Sequence, residues 1–170
     1  MKRKKDKGFT LIELVVAVAI IGILSTLVTP KVREQLAKGK DAKAIALLNA
    51  LRTAGELYYI EYGKPPLEDI SKGGNSADIV ASIEKLKEFL DPKGEVLLKT
   101  GKIQIGGVRK QISGASGPEA DKKVVFGGEI AFTFINPDSS SSNQGDGVYI
   151  WFKEETGREY DSSGKLWKDY

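Results

Sequence analysis

The sequence predicts an α+β fold: a lollipop in which the second half of one long N-terminal helix packs on a small antiparallel β-sheet head. Three observations predict it. Residues 9–28, FTLIELVVAVAIIGILSTLV, are apolar with a single charge, Glu13. That run passes without a loop into an amphipathic stretch that lasts to Tyr62. Beyond Pro66 the texture changes to short alternating segments punctuated by Gly, Ser, Asp and Pro, which is the pattern of antiparallel strands. One long helix, one short helix and then strands is the α+β order. A chain of 170 residues suits a single domain with a modest core.

The long helix is predicted over residues 9–62. Its first 20 residues suffice to span a hydrocarbon core of ~30 Å. The whole would be about 80 Å long at 1.5 Å per residue. A head of this size does not cover such a length, so residues 9–30 need another solvent: lipid, or copies of the same chain. Pro30 has no N–H for the Thr26 carbonyl, yet helical periodicity resumes at once, which predicts a bend rather than an end. Val32 and Leu36 continue the apolar face. Ala44, Leu47, Leu48, Leu51, Ala54, Tyr58 and Tyr62 then recur at three- and four-residue spacing. Lys31, Arg33, Lys38, Lys40, Asp41, Lys43 and Arg52 fall mostly off that stripe. Gly63-Lys64-Pro65-Pro66 stops the helix, with Gly at the cap and Pro beyond it. The chain thus divides into a leader (1–8), an apolar half-helix (9–30), an amphipathic half-helix (31–62) and a globular part (63–170).

Residues 64–75 read as a loop and 77–90 as a second helix. Asn75 or Ser76 caps that helix, and Ile79, Ile83, Leu86, Phe89 and Leu90 form its apolar face. Asp91-Pro92-Lys93-Gly94 ends it. Segments 95–99 and 102–106 are predicted to form a hairpin around Thr100-Gly101. Residues 112–123 read as a loop. Residues 124–126 and 129–135 read as strands, with Ile130, Phe132 and Phe134 alternating. Residues 136–147 read as a polar loop and 148–153 as a strand. A last hairpin joins 158–161 to 165–168 around Ser163-Gly164.

Histidine and cysteine are absent. No disulfide, thiol nucleophile, Cys/His zinc site or Ser-His-Asp triad can be built. There is no G-x-x-x-x-G-K-[ST] phosphate loop, so the chain does not power a process of its own by that route. The expectation is a structural protein with no cofactor, not an enzyme. The net charge of +3 is set by the first eight residues, MKRKKDKG. Removing their five basic residues and one acid leaves −1. The remainder offers no general electrostatic case for nucleic acid.

The basic flank should stay cytoplasmic by the positive-inside rule. A secretory signal would be shorter and end in a small-residue site, which Ser25-Thr26-Leu27-Val28-Thr29 does not supply. A plain membrane anchor leaves Glu13 unexplained, since a carboxylate at the bilayer centre costs roughly 2.5–3.5 kcal/mol and less near an end.

Residues 7–14, Lys7-Gly8-Phe9-Thr10-Leu11-Ile12-Glu13-Leu14, behind a basic leader and opening an apolar helix, resemble the prepilin signature of the type IV filament family. That family includes type IV pili, the pseudopili of type II secretion and DNA-uptake pili. The resemblance is specific over residues 7–36, weaker to Pro66, and limited to layout beyond. It implies that Gly8 ends the leader and is cut by a prepilin peptidase on the cytoplasmic side. It implies that Phe9 becomes the N-methylated new terminus and that Glu13 is the acid used in assembly. Gly22 and Pro30 resemble positions where the helix loosens in the filament. The departure is the missing cysteine pair that many pilins carry near the C-terminus.

Two readings of Glu13 follow. It pairs with the Phe9 amine of a neighbouring subunit, or it interacts with the amine and dipole of its own helix. The resemblance further implies a helical homopolymer, passage through the bacterial inner membrane with the N-terminus cytoplasmic, an inner-membrane platform protein and, indirectly, an assembly ATPase. The pilus, with roles in adhesion, motility or uptake, stands first. A periplasmic pseudopilus of type II secretion stands second, and an uncleaved single-pass receptor is the reading of another class. Asp138, Asp146 and Asp161 could hold calcium, as in major pseudopilins, but turn formation explains them more simply. Lys38, Lys40 and Lys43 form one basic cluster, and Lys99, Lys102, Arg109, Lys110, Lys122 and Lys123 another. A solvated face paired with acids of neighbouring subunits explains both better than nucleic acid does.

Overall fold

The computed structural model describes residues 9–90, 101–112, 120–138, 145–153 and 155–170. The chain divides into an N-terminal unit that ends at Gln35 and a second unit, Leu36–Tyr170. Helix α1, Leu11–Tyr62, supplies residues to both and continues through Pro30. Among the described residues of the N-terminal unit every large apolar side chain is open, from 49% exposed at Val16 to 93% at Phe9.

The second unit owns the core. Ala44, Leu47, Leu48, Leu51, Ala54 and Tyr58 of α1 are buried, as their spacing predicts. The stripe is shorter than expected at both ends. Val32 and Leu36 are 50% and 64% exposed, and Tyr62 is 49% exposed with its hydroxyl donated to Glu88 at 2.8 Å. Burial starts instead at Ala37 and Asp41. The buried row is therefore 37, 41, 44 and 48, a helical row with a carboxylate inside it. Asp41 is 2% exposed, not a solvated off-stripe residue.

Helix α2 covers Ser76–Lys85, capped by the Asn75 side chain, which accepts from the Ala77 N–H at 3.0 Å. It is shorter than the predicted 77–90, because a 3-10 turn, Lys87–Phe89, follows a break at Leu86. Ile79, Ile83 and Leu86 are buried as expected. Another 3-10 turn, Ile70–Lys72, interrupts the preceding loop.

Six short strands follow: β1 (Lys102–Gln104), β2 (Gly107–Arg109), β3 (Val125–Phe126), β4 (Glu129–Thr133), β5 (Trp151–Phe152) and β6 (Tyr160–Asp161). They make two antiparallel sheets rather than the single sheet predicted, ordered β1-β4-β5 and β3-β2-β6. Residues 95–99 lie outside the described residues, and the partner of β1 is β4. Pairing continues from there along a bent ribbon. Ile105 N–H donates to the Gly128 carbonyl at 3.0 Å, Gly127 N–H to the Gly106 carbonyl at 2.7 Å, and Gln111 bridges Ala120. The ribbon changes sheet at Gly106 and Gly127-Gly128, the latter two with φ of 80° and 123°. Strand β2 went unpredicted because its Gly106-Gly107 start reads as a break, whereas glycine in a strand also marks a corner. In the predicted strand 148–153 the ladder is confined to Trp151 and Phe152, with the Lys153 N–H donating to the Ala131 carbonyl at 2.8 Å. The last hairpin survives as a Tyr160–Leu166 bridge, after which Trp167–Asp169 turns as a 3-10 helix. Trp167 is 1% exposed and meets Phe152 edge-on at 5.1 Å between ring centres.

Polar groups tie this unit together. Asp41 accepts from the Gly106 N–H at 2.7 Å, the Ser162 N–H at 3.0 Å and the Ser162 hydroxyl. Arg52 donates from Nε to the Ile150 carbonyl at 2.7 Å and from Nη2 to the Tyr170 carbonyl at 2.6 Å, with its guanidinium over the Tyr149 ring. Asp161 accepts from the Ser163, Gly164 and Lys165 N–H groups, the Ser163 hydroxyl and the Tyr170 hydroxyl. Burial pushes its carboxyl up, but the donors from Ser163, Tyr170 and the Lys165 backbone prevail and leave it below the ordinary range. The Tyr170 hydroxyl is pushed up by burial and by its bond to Asp161.

A Cβ on Gly106 would sit 2.0 Å from the Ala37 carbonyl oxygen, whereas one on Gly39 would meet nothing within 4 Å. Gly106→Ala should therefore cost about 1–3 kcal/mol, and Gly39→Ala in the same helix should gain up to about 1 kcal/mol. Denaturation followed by tryptophan emission checks both, since Trp151 and Trp167 both lie in the second unit. Because the folded Asp161 carboxyl titrates low, its contribution is present above the ordinary carboxylate value, about pH 4, and fades as pH falls through the lower folded value. Asp161→Asn should lower stability at pH 7 by about 1.5–3 kcal/mol and flatten the acid limb of a stability–pH curve measured the same way.

Candidate assembly site

The residues singled out at the N-terminus gather on the first turn of α1. Phe9 precedes the helix and is 93% exposed. Gly8 lies outside the described residues. With Leu11 as the first helical residue, Thr10 is the cap and Glu13 the third position. The Thr10 N–H and hydroxyl both donate to Glu13 Oε2 at 2.8 Å, and the Glu13 N–H donates to Thr10 Oγ1 at 3.3 Å. This is a reciprocal capping box, which satisfies amide groups that the start of a helix leaves without internal partners. Sequence reasoning took Glu13 and passed over Thr10, although the Thr-x-x-Glu spacing spells the box. Glu13 Oε1 takes no hydrogen bond among the described residues.

Gly22 and Pro30 sit inside an unbroken helix, and a Cβ on Gly22 would meet nothing within 4 Å. Between them lie three hydroxyls that the sequence reading passed over. Ser25 donates to the Ile21 carbonyl, Thr26 to the Ile23 carbonyl and Thr29 to the Ser25 carbonyl, at 2.7–2.8 Å. Such back-bonding keeps hydroxyls satisfied in an apolar medium and slightly weakens and bends a helix.

The three loop aspartates lie in separate settings. Asp138 pairs with Lys168 at 3.1 Å. Asp146 caps its own turn, accepting from the Val148 and Tyr149 N–H groups at 2.9 and 2.8 Å. Asp161 closes the turn described above. Among the described residues no three His, Cys, Asp or Glu side chains gather as a metal site would require. Of the second lysine cluster, Lys99 lies outside the described residues. Arg109 is turned inward, its Nε donating to the Ser162 carbonyl at 2.9 Å. Lys110, Lys122 and Lys123 are exposed near β3.

What this arrangement offers is an exposed surface for association. An apolar helical face stands open along the N-terminal unit and carries one carboxylate at its first turn. Comparison with known proteins points the same way. Residues 3–29 match the family described as the prokaryotic N-terminal methylation motif. The Type IV major pilin protein PilE1 of Neisseria gonorrhoeae is 34% identical over 109 residues, 64% of this chain and 59% of that protein. A fimbrial protein of Neisseria meningitidis serogroup A is 38% identical over 75 residues, 44% of each chain. A fimbrial protein of Pseudomonas aeruginosa is 43% identical over 58 residues, 34% of this chain and 38% of the other. The chain thus spans less than two thirds of the length of these relatives. No solved structure matches. With the methylation motif at its start, an alignment to pilins that runs beyond that motif and a long-helix α+β frame, the chain is similar to type IV pilins.

Proposed function

We propose that this chain is a structural subunit of a type IV pilus. In this reading a prepilin peptidase cuts between Gly8 and Phe9, Phe9 is N-methylated, and the mature subunits polymerise through their apolar half-helices. The observation that carries it is the open apolar surface from Phe9 to Val28, whose one charge is a carboxylate at its first turn. Among the described residues α1 is the one helix long and apolar enough to cross a membrane. Burying each such side chain is worth about 1.5–3 kcal/mol, so this surface demands lipid first and sister helices afterwards.

Before assembly the subunit waits in the bacterial inner membrane, with its basic leader cytoplasmic. Extraction is the work of a platform protein and, through it, an assembly ATPase. The role is structural, not catalytic. The relatives that match are pilins and fimbrial proteins, so the short pseudopilus, towards which the missing cysteines and Gly63-Lys64-Pro65-Pro66 lean, is not the better supported reading.

Glu13 sets the register. Its Oε2 is committed to the cap of its own helix, while Oε1 remains for the Phe9 amine that cleavage creates on a neighbouring subunit. The two earlier readings of Glu13 are then complementary. In the low dielectric of a helix bundle, a charge left without its partner costs about 3–5 kcal/mol. A misplaced subunit would therefore be disfavoured by about two orders of magnitude or more. Gly22 and Pro30, with the hydroxyls of Ser25, Thr26 and Thr29 between them, make the stretch where the helix yields when the filament is pulled.

Glu13→Gln separates assembly from processing. The leader should still be removed, while filament yield in sheared, pelleted fractions should fall about 100-fold. Filaments at the unaltered level would contradict the register role.

A further inference from the structure

Strand β3 forms an outer edge of the β3-β2-β6 sheet, and its two residues, Val125 and Phe126, are each 48% exposed. Lys122 and Lys123 precede it, and Lys110 lies across the ribbon, its carbonyl accepting from the Asp121 N–H at 2.8 Å. Among the described residues none of these three lysines forms an ion pair. The edge is therefore an apolar tip flanked by three lysines, with Asp121 and Glu129 as the nearby acids in sequence.

A surface of the opposite kind lies on the same unit. Glu56, Tyr59 and Ile60 of α1, with Asp146 and Val148, line an open groove of about 470 Å³. Ile60 is 76% exposed, more than any other large apolar side chain of the unit among the described residues. Glu56 forms no ion pair among them, Asp146 uses only Oδ1 in its turn, and no basic side chain lines the groove.

We propose that the groove is the docking site for a second copy of this chain, which inserts its Phe126 edge with Lys122 and Lys123 facing Glu56 and Asp146. Both surfaces are apolar at the centre and charged at the rim with opposite sign, the arrangement that steers and registers an interface. They are different patches of one molecule, so the contact is heterologous. It repeats without using itself up and generates an open helical array rather than a closed dimer. The competing account makes the lysines guards that keep an exposed strand edge from pairing. That account assigns nothing to the groove. The proposal rests on the polymer reading and adds to it a lateral contact made by the globular unit.

The chain contains no cysteine, which makes the test direct. Filaments of the double variant Ile60→Cys, Phe126→Cys, oxidised and run without reductant, should give a ladder of dimers, trimers and higher rungs that collapses on reduction. A disulfide forms only where Cα atoms approach within about 7 Å. Each single variant should stay monomeric, because a heterologous contact never brings like residues together. Independently, Lys122→Glu with Lys123→Glu should cut filament yield at least tenfold, and adding Glu56→Lys should recover most of it. Intact filaments of the double cysteine variant without a ladder, or a dimer from either single variant, would overturn the proposal. So would full filament yield from the lysine variant, and in each of these cases the pilin reading stands. If the unaltered chain formed no filaments in its own cells, the polymer reading itself would fall, and this contact with it.

Discussion

One buried carboxylate keys the long helix to the rest of the globular unit. Asp41 is 2% exposed and receives two backbone N–H groups, from segments 65 and 121 residues further along the chain, plus a hydroxyl. These donors make the burial tolerable, and each one removed leaves a buried carboxyl oxygen short of a partner. The contact works only because Gly106 has no side chain, so the ribbon corner lies directly against the helix backbone at Ala37. Three turns on, Arg52 holds the Ile150 and Tyr170 carbonyls. These bonds fix which face of α1 meets the sheets, and they tie the last residues to the helix in a chain with no cysteine to form a disulfide.

The helix therefore serves two media. From Ala37 onward one row is buried and closed by named partners, and most polar residues around it, Arg52 excepted, face solvent. From Phe9 to Val32 no large apolar side chain is covered. A water-soluble helix keeps its apolar residues to a stripe. An all-round apolar one belongs in lipid or among like helices, where only its backbone and its few hydroxyls need internal partners. Ser25, Thr26 and Thr29 meet that condition by bonding back to the helix, and Glu13 meets it in part through the cap at Thr10. In the proposed filament this half has a permanent solvent made of itself.

Much of this was legible in the residues, because it depends on local signals. The helix end at Gly63, the Asn75 cap, and the alternation of Ile130, Phe132 and Phe134 all follow from spacing and turn chemistry. What escaped was decided by contacts distant in sequence. Strand β2 depends on a partner some 17 residues away and begins on a glycine pair that local reading takes for a break. The second sheet escaped for the same reason. Asp41 was set aside as polar, although its 37-41-44-48 row was visible, since nothing nearby announced that Gly106 and Ser162 would supply donors. Thr10 was an avoidable omission, because its signal is three residues long. In the candidate assembly site the acid was legible, and the Phe9 amine of a neighbouring subunit is its proposed second partner.

The account makes the terminus at Phe9 the origin of both register and polymer. The most direct measurement is the intact mass and N-terminal peptide of the protein sheared from the surface of its own cells. The account predicts that the peptide begins at Phe9, carries one methyl group on its amine and lacks the eight leader residues. Recovery only from the membrane fraction, with the lysine-rich leader still attached, would contradict it.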